Sequence, residues 1–312
     1  MTTTTTDLNT TEIVRRQLRG QRIDLAGMIF AGVLLTSLLI TLAVLVALIA
    51  DVLGGALPLL AERGLDFITS DLSASPRRTG IVQAIQGTVL VGAFVVLLAF
   101  PIGIAAAIYL EEYAPRNALT RLIDINIRNL AGVPSIVYGL LGLAVLVEAL
   151  GGFTGGRSLL SGGITMAILV LPIVIITAAE AIRAVPDSIR EAGFGVGATR
   201  WEIIRSHVLP YAAPGILTGT VLALARALGE AAPLILVGAV LGQIFGGGPQ
   251  GFLGTLQGRF LALPTTIYDF ARQPSADFRD ALAPATILVL LVLVLIANSA
   301  AIVLRNRYDR AR

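Results

Sequence analysis

The sequence lacks cysteine and lysine altogether and has a single histidine among its 312 residues. Without cysteine there is neither a disulfide nor a thiolate metal site, so the redox compartment cannot be inferred. Without lysine there is no Walker A loop, since that phosphate-binding loop requires Gly-Lys-Ser/Thr. The lone His207 excludes a histidine metal cluster and a histidine-based triad. We therefore expect no catalytic residue, no metal ligand, no bound cofactor and no nucleotide site in this chain.

Charged residues are also scarce, at 14%, whereas hydrophobic residues make up 55% and the mean hydropathy is +0.84. These values exceed those of soluble domains and indicate an all-α polytopic membrane protein. The net charge of +3 and the isoelectric point near 9.7 would suit a nucleic-acid partner, but the arginines are spread among loops. Six apolar runs are long enough to cross a bilayer, at residues 25–50, 84–110, 129–150, 162–181, 212–241 and 282–304.

The polar segments divide the chain into three parts. Residues 1–24 form a tail that is rich in threonine and then in arginine, and residues 2–6 are expected to be disordered. Residues 25–304 form the transmembrane domain, and its first apolar run is too long for a secretory signal. Residues 305–312 form a short C-terminal tail. Within the domain, the mixed segment 51–83 is predicted to be a loop with one short interfacial helix.

Arginine placement predicts how the spans are oriented. If the N-terminus is cytoplasmic, the inner segments carry roughly twice as many arginines as the outer ones, as the positive-inside rule requires. Both termini and the polar segment 186–210 then face the cytoplasm. The sequence therefore predicts a multi-pass protein of the inner (plasma) membrane of the cell.

Prolines interrupt several of the spans. A proline removes a backbone hydrogen bond and bends a helix, and the freed carbonyl must then face protein or cavity water. Broken helices around a central path are typical of transporters, although prolines are common in membrane helices in general. The prolines concerned are Pro101, Pro134, Pro172 and Pro233. Gly215 and Gly219 form a GxxxG motif, which permits close contact with another helix.

The segment 186–210 is polar and lies between two apolar runs, so we place it outside the hydrocarbon core. Thr199 and Glu202 have the spacing of a capping box, which predicts the start of a helix. Glycines predict a hinge between two short helices, at Gly193, Gly195 and Gly197. One face of the second helix suits a knob presented to a partner, formed by Trp201, Ile204 and Val208.

This segment resembles the cytoplasmic signature of the inner-membrane permease subunits of ABC importers. The signature stands here as Glu191-Ala192-Gly193, Gly197 and Leu209-Pro210. Two positions depart from it, because Gly193 replaces a second alanine and His207 replaces a branched apolar residue. The resemblance implies the type I permease fold with six transmembrane helices, and a loop that docks on a separate ATPase, which uses ATP and Mg²⁺. The residues assigned to ATPase docking are Arg190, Glu191, Ala192, Gly193, Gly197, Thr199, Trp201, Leu209 and Pro210.

The fifth apolar run contains a charged pair. Arg226 lies about 14 residues from the start of the run, or about 20 Å into the bilayer. Glu230 follows four residues later on the same helical face and can pair with it. Pro233 cannot donate to the carbonyl of Gly229, which loosens the helix beside the pair. A guanidinium stays charged and its planar fork suits an oxyanion, above all phosphate. These four residues are the candidate substrate pathway; an ion pair that only fixes packing is the alternative.

The residues around this pair resemble a more specific group within the ABC importer permeases. The run from Arg226 to Leu234 and the run 130–137 are similar to phosphate importer permeases. The runs 110–115 and 263–268 look more like the PstA-type subunit than its PstC-type partner. The resemblance implies a heterodimer with a PstC-type permease, an ABC ATPase dimer on the cytoplasmic side and an extracytoplasmic phosphate-binding protein. Membrane lipid is the remaining partner, and no nucleic acid is expected.

Two other functions remain open. A permease for another oxyanion or small solute would carry the same docking loop, because the loop does not identify the cargo. An ion-coupled secondary transporter would explain Arg226, Glu230 and the broken helices. The docking loop and the lack of an obvious inverted repeat argue against that class. The outer segment 242–280 either caps the exit and meets the binding protein or is a re-entrant packing element.

Overall fold

The computed structural model describes residues 25–239 and 252–309, and all regular secondary structure within these two ranges is helical. Both predicted terminal tails lie outside these ranges, except that residues 305–309 continue the last helix. Where α- and π-helical segments adjoin, they form one continuous helix and share one label. The helices are α1 (Leu25–Arg63), α2 (Leu65–Thr69), α3 (Val82–Tyr113), α4 (Ala118–Ala131), α5 (Ser135–Ala149), α6 (Gly151–Thr154), α7 (Leu159–Arg183), α8 (Asp187–Gly195), α9 (Arg200–Gly229), α10 (Ala232–Val237), α11 (Phe252–Gln257), α12 (Leu263–Ala271) and α13 (Asp277–Leu282 continuing as Ala283–Asp309).

Five of these helices, α1, α3, α7, α9 and α13, are long and apolar enough to cross a membrane. The expected third span, 129–150, is divided instead, because α4 and α5 meet at an angle of 102°. The turn between them ends at Pro134, and a proline disfavours helical backbone at the preceding residue. Counting the bent pair as one crossing gives six spans.

The first span is longer than expected. The chain divides into two units after Asp51, and α1 runs on beyond that residue to Arg63. The prediction of a loop over 51–83 is therefore wrong for the first part of that segment. Within the second unit, Ala56 is fully buried in a cluster with Phe67 of α2 and with residues of α13. This packing stabilises the additional helical turns.

The central helix of the second unit is α7. Buried residues make up 67% of its most apolar stretch, against 6% for α13. Two glycines of α9, which have no side chain, let α7 and α9 approach each other closely. A Cβ on Gly219 would lie 2.3 Å from Oγ1 of Thr177, and one on Gly215 would lie 2.8 Å from Cβ of Ala181. The GxxxG motif therefore makes a close helix contact within the same chain.

The four prolines differ in their effect. Pro134 and Pro233 lie at breaks between helices, as expected. Pro101 follows a π-helical turn, Val95–Ala99, which locally changes the hydrogen-bonding pattern before the ring without ending α3. Pro172 lies inside α7, which continues through it. A proline in these spans is therefore not sufficient to break a helix.

The described part of the outer segment packs inward, whereas residues 242–251 of that prediction lie outside the described ranges. The backbone N–H of Leu263 donates to Oγ1 of Thr88 on α3 at 2.8 Å, and both groups are buried. A Cβ on Gly87 would lie only 1.8 Å from the carbonyl oxygen of Leu261. These contacts favour a packing element over an exposed cap for the part of this segment that the structure describes.

Candidate functional site

The helix that carries Arg226 ends three residues later, at Gly229, and α10 begins at Ala232. Glu230 has extended backbone, with φ −81° and ψ 121°. Pro233 lies in the first turn of α10 and cannot donate a hydrogen bond to the carbonyl of Gly229, which contributes to the interruption of the helix. The sequence predicted one helix loosened at this point, whereas the helix is fully interrupted.

The expected ion pair is present across this break. Nε of Arg226 lies 3.4 Å from Oε1 of Glu230. The side chain of Arg226 is 51% exposed and that of Glu230 is 20% exposed, so one side of the guanidinium is accessible in the isolated chain. No described atom beyond the immediate backbone lies within 4 Å of a Cβ built on Gly229. The pair is therefore open to a solute or to a neighbouring subunit.

Pro233 faces α5 rather than the charged pair. It is buried, and a Cβ built on Gly139 would lie 2.7 Å from the Cα of Pro233. This close approach fixes the start of α10 against the third span. Of the four predicted pathway residues, the structure brings Arg226, Gly229 and Glu230 together, while Pro233 ends the helix and anchors the next one.

The second candidate site is the turn between α8 and α9, and its local signals were predicted correctly. The hydroxyl of Thr199 accepts the backbone N–H of Glu202 at 3.4 Å, and the Glu202 carboxylate accepts the backbone N–H of Thr199 at 2.7 Å. The capping box is therefore complete. Gly197 has a φ of +83°, a left-handed conformation that glycine adopts without strain.

The helices on either side of this turn differ from the prediction. Gly193 and Gly195 lie inside α8, so the hinge is confined to the turn that contains Gly197. The second helix is not short, because α9 continues through Leu209-Pro210 to its end in the fifth span. A Cβ on Gly193 would lie 2.6 Å from Cγ1 of Ile203. Glycine at this position therefore lets α8 pack directly on α9.

Three exposed apolar side chains form a surface at this turn, which we call the docking surface. Phe194 is 52% exposed, Val196 is 84% exposed and Trp201 is 52% exposed. The prediction that Ile204 and Val208 share this surface is wrong, because both are buried. Of the three residues predicted to form the knob, only Trp201 is exposed. Four other predicted docking residues are exposed: Glu191, Ala192, Thr199 and Pro210. Leu209, which was also assigned to docking, instead packs against a buried hydrophobic cluster.

Arg190 was assigned to docking, but its side chain points into the chain. Its Nη2 donates to Oε1 of Glu112 at 2.8 Å, and its Nη1 donates to the carbonyl of Val185 at 2.8 Å. The side chain of Arg190 is 19% exposed and that of Glu112 is 8% exposed. Arg190 therefore attaches α8 to the end of α3 and does not present a free charge on the docking surface.

Two acidic residues at the end of α3 were missed from the sequence, and of these two only Glu112 pairs with α8. Glu112 pairs with Arg190, and the neighbouring Glu111 pairs with Arg183 at the end of α7. Adjacent carboxylates at the end of a span indicate that cations lie nearby, but 78 residues separate Glu112 from Arg190. Across residues 25–239 and 252–309, His, Asp and Glu side chains form no group of three that could hold a metal ion.

The family model described as "Binding-protein-dependent transport system inner membrane component" matches residues 99–310. The chain is 38% identical over 179 residues to the probable ABC transporter permease protein YqgH of Bacillus subtilis, covering 55% of this chain and 58% of that protein. It is 34% identical over 234 residues to the phosphate transport system permease protein PstC of Mesorhizobium japonicum, covering 67% and 71%. It is 36% identical over 220 residues to the phosphate transport system permease protein PstA of Yersinia pestis, covering 70% of each.

Two solved structures have a similar fold. A bacterial alginate ABC transporter, in complex with its periplasmic protein, aligns with a TM-score of 0.58 at 18% identity, over 93% of this chain and 94% of that one. The inward-facing MetNI methionine ABC transporter aligns with a TM-score of 0.56 at 17% identity, over 76% and 99%. At these identities the likeness shows the fold alone, and it confirms the expected all-α architecture of a type I permease. The chain therefore belongs to the binding-protein-dependent transport system inner membrane components, the membrane-spanning permease subunits of ABC importers.

Proposed function

We propose that this chain is a permease subunit of an ATP-driven importer that moves inorganic phosphate across the cytoplasmic membrane. The observation that carries the proposal is the Arg226–Glu230 pair, which lies at a break in an apolar helix with half of the arginine side chain exposed. A charged side chain at membrane depth is costly and is expected to face protein or a water-filled path. The relatives named as phosphate transport permeases support the choice of anion.

The pair suits a path that alternates between empty and loaded states. In the empty path, Glu230 partly neutralises Arg226 at 3.4 Å. A phosphate oxyanion would compete for the same guanidinium, because two of its oxygens match the planar fork in bidentate fashion. Glu230 lies on extended backbone outside α9, so its carboxylate can move aside without the unwinding of a helical turn.

A single helix links the docking surface to this pair. α9 begins at Arg200, beside Trp201, and runs without a break to Gly229. Arg226 is about 26 residues from the start of this helix, which corresponds to about 39 Å at 1.5 Å per residue. We infer that an ATPase that moves the first turn of α9 also moves the segment that carries Arg226. ATP hydrolysis is then coupled to the Arg226–Glu230 pair through the continuous helix α9.

The remaining functions belong to other chains in this proposal. The sequence has no lysine for a Walker A loop, so ATP and Mg²⁺ are used by an ABC ATPase dimer that docks on Phe194, Val196 and Trp201. A PstC-type permease forms the other half of the path, and an extracytoplasmic phosphate-binding protein delivers the anion. Both termini and the docking surface lie on the cytoplasmic side, as the distribution of arginines favours.

Uptake of labelled phosphate tests the proposal. Cells that lack this chain and then regain it are compared at low external phosphate, with unlabelled sulfate or molybdate as competitors. We expect uptake to depend on the chain and on ATP, and to resist an excess of either competitor. Competition by sulfate or molybdate that equals competition by phosphate would indicate a permease for another oxyanion. Uptake that persists with an ATPase subunit inactivated would indicate an ion-coupled secondary transporter.

A further inference from the structure

The last turn of α3 contacts both α8 and α9. It is a π-helical turn, Tyr109–Tyr113, and Glu112 is the residue that contacts both helices. The Glu112 carboxylate accepts from Arg190 of α8, while the Glu112 backbone carbonyl accepts from Nη1 of Arg200 of α9 at 2.7 Å. The Arg200 guanidinium also lies over the ring of Tyr113, at 5.7 Å from its centroid. One turn of α3 therefore contacts both helices that carry the docking surface.

The contact between Glu112 and Arg190 is partly buried and contains several hydrogen bonds. Nε and Nη2 of Arg190 donate to Oε1 of Glu112 at 3.1 and 2.8 Å. The guanidinium also donates to the carbonyls of Ile182 and Val185, at 3.1 and 2.8 Å, where α7 ends. A guanidinium has five N–H donors, and this one joins the ends of three helices. Breaking a pair that is largely shielded from water is costly, because the remaining charge loses its partner.

The neighbouring glutamate forms its ion pair with α7 rather than with α8 or α9. Glu111 pairs with Arg183, the last residue of α7, and Arg183 is 53% exposed. Two adjacent carboxylates on the same turn therefore hold different helices, one in a partly buried pair and one in an exposed pair. This difference provides a matched control for the role of Glu112.

We propose that Glu112 is a positioning residue that sets the orientation of α8 relative to α9 and links the docking surface to α3 as well as to the fifth span. Movement of the ATPase is then transmitted to two membrane helices together, because α3 continues from this turn into the membrane. The transport part of this inference rests on the proposed phosphate import. The positioning part concerns the order of α8 and does not depend on the transported solute.

The test compares Glu112→Gln with Glu111→Gln in the full transporter complex. Each measurement is divided by the amount of assembled complex in the sample. Glu112→Gln keeps the shape of the side chain and removes its charge. Amide hydrogen exchange of residues 187–195 is measured together with the number of phosphate ions transported per ATP hydrolysed. We expect faster exchange and a lower transport ratio for Glu112→Gln, by roughly two- to thirtyfold. Glu111→Gln is expected to change neither quantity by as much as twofold.

The two readouts separate the possible outcomes. A purely structural contact would change exchange but leave the ratio of transport to hydrolysis intact, and that result would overturn the proposed link to transport. Unchanged exchange in Glu112→Gln would overturn the positioning role. If Glu112→Gln does not assemble, Glu112→Asp keeps the charge on a shorter side chain, and equal values for it and the wild type would also contradict the positioning role. If the wild-type complex moves no phosphate, the proposed function fails, while exchange still decides the positioning role.

Discussion

Nε of Arg226 lies 3.4 Å from Oε1 of Glu230, although the first residue is helical and the second has extended backbone. The contact therefore crosses the point at which α9 ends. It is maintained by the start of α10, where Pro233 is held against Gly139 of α5. A small displacement of α10 relative to α9 would separate the two charges without disturbing either helix.

Replacement of Arg226 by alanine is expected to lower the initial rate of phosphate uptake by about 10- to 150-fold. That range corresponds to the roughly 1.5 to 3 kcal/mol contributed by a hydrogen bond to a charged group. Arg226→Lys keeps the charge but loses the planar fork, so we expect an intermediate rate. Labelled uptake at equal amounts of assembled complex is the measurement. Arg121→Ala, on the exposed surface of α4, is the control. Normal uptake and assembly in both Arg226→Ala and Glu230→Ala would exclude the pathway role.

Interactions between residues a few positions apart could be predicted from the sequence. The four-residue spacing of Arg226 and Glu230 placed their side chains together, and the spacing of Thr199 and Glu202 predicted the capping box. The interruption after Gly229 could not be predicted in full. A proline bends or ends a helix according to what holds the two pieces, and Pro172 leaves α7 unbroken.

Interactions between distant segments could not be predicted, because no local pattern identifies the partner. The pair of Glu112 and Arg190 joins residues 78 positions apart. The same limitation explains the error at Ile204 and Val208, which share a helical face with Trp201 but are buried by the rest of the chain. Helical periodicity gives the direction of a side chain around the axis. It does not show where along the axis the neighbouring helices begin.

Gly87→Ala is expected to destabilise the protein by about 1 to 3 kcal/mol, the usual cost of overpacking. The new Cβ would lie 1.8 Å from the backbone carbonyl oxygen of Leu261, which cannot move aside as a flexible side chain can. Thermal unfolding of the purified complex measures the effect. Gly54→Ala is the matched control, because it is also a helical glycine and no described atom beyond its own helix lies within 4 Å of the new Cβ. Equal midpoints for the two variants would contradict the packing between α3 and the outer segment.

Thr199→Ala is expected to destabilise the first turn of α9 by about 1 kcal/mol, because it removes the hydroxyl that caps this helix. The Thr199 hydroxyl accepts a hydrogen bond from the backbone N–H of Glu202 at 3.4 Å. Without this bond, hydrogen exchange at that N–H should accelerate roughly fivefold. Thr199→Ser keeps the hydroxyl and is expected to exchange like the wild type. A similar acceleration in both variants would show that the methyl group, rather than the cap, orders this turn.

Trp201→Ala is expected to weaken retention of the ATPase by roughly thirtyfold, the effect of losing about 2 kcal/mol at an aromatic hot spot. About half of the side chain is exposed, so its removal should lower the thermal stability of the permease only slightly. The amount of ATPase that copurifies with the permease is the measurement. Phe153→Ala provides the control, because this aromatic residue is 72% exposed near the opposite end of α7. Equal loss of ATPase from both variants would mean that the docking surface lies elsewhere.

A cysteine introduced at Val196 tests the predicted orientation on a background without other cysteines. Val196 is 84% exposed on the docking surface. The thiol introduced by Val196→Cys should therefore react with a membrane-impermeant reagent on whichever side of the membrane both are present. We expect labelling in inside-out vesicles and none in intact cells, and a bound ATPase should protect the thiol. Phe153→Cys should give the reverse pattern, because it lies beyond the other end of the central helix, roughly 37 Å away at 1.5 Å per residue. Labelling of the Val196→Cys thiol from outside the cell would place the docking surface where no cytoplasmic ATPase can reach it, and the coupling through α9 would then be excluded.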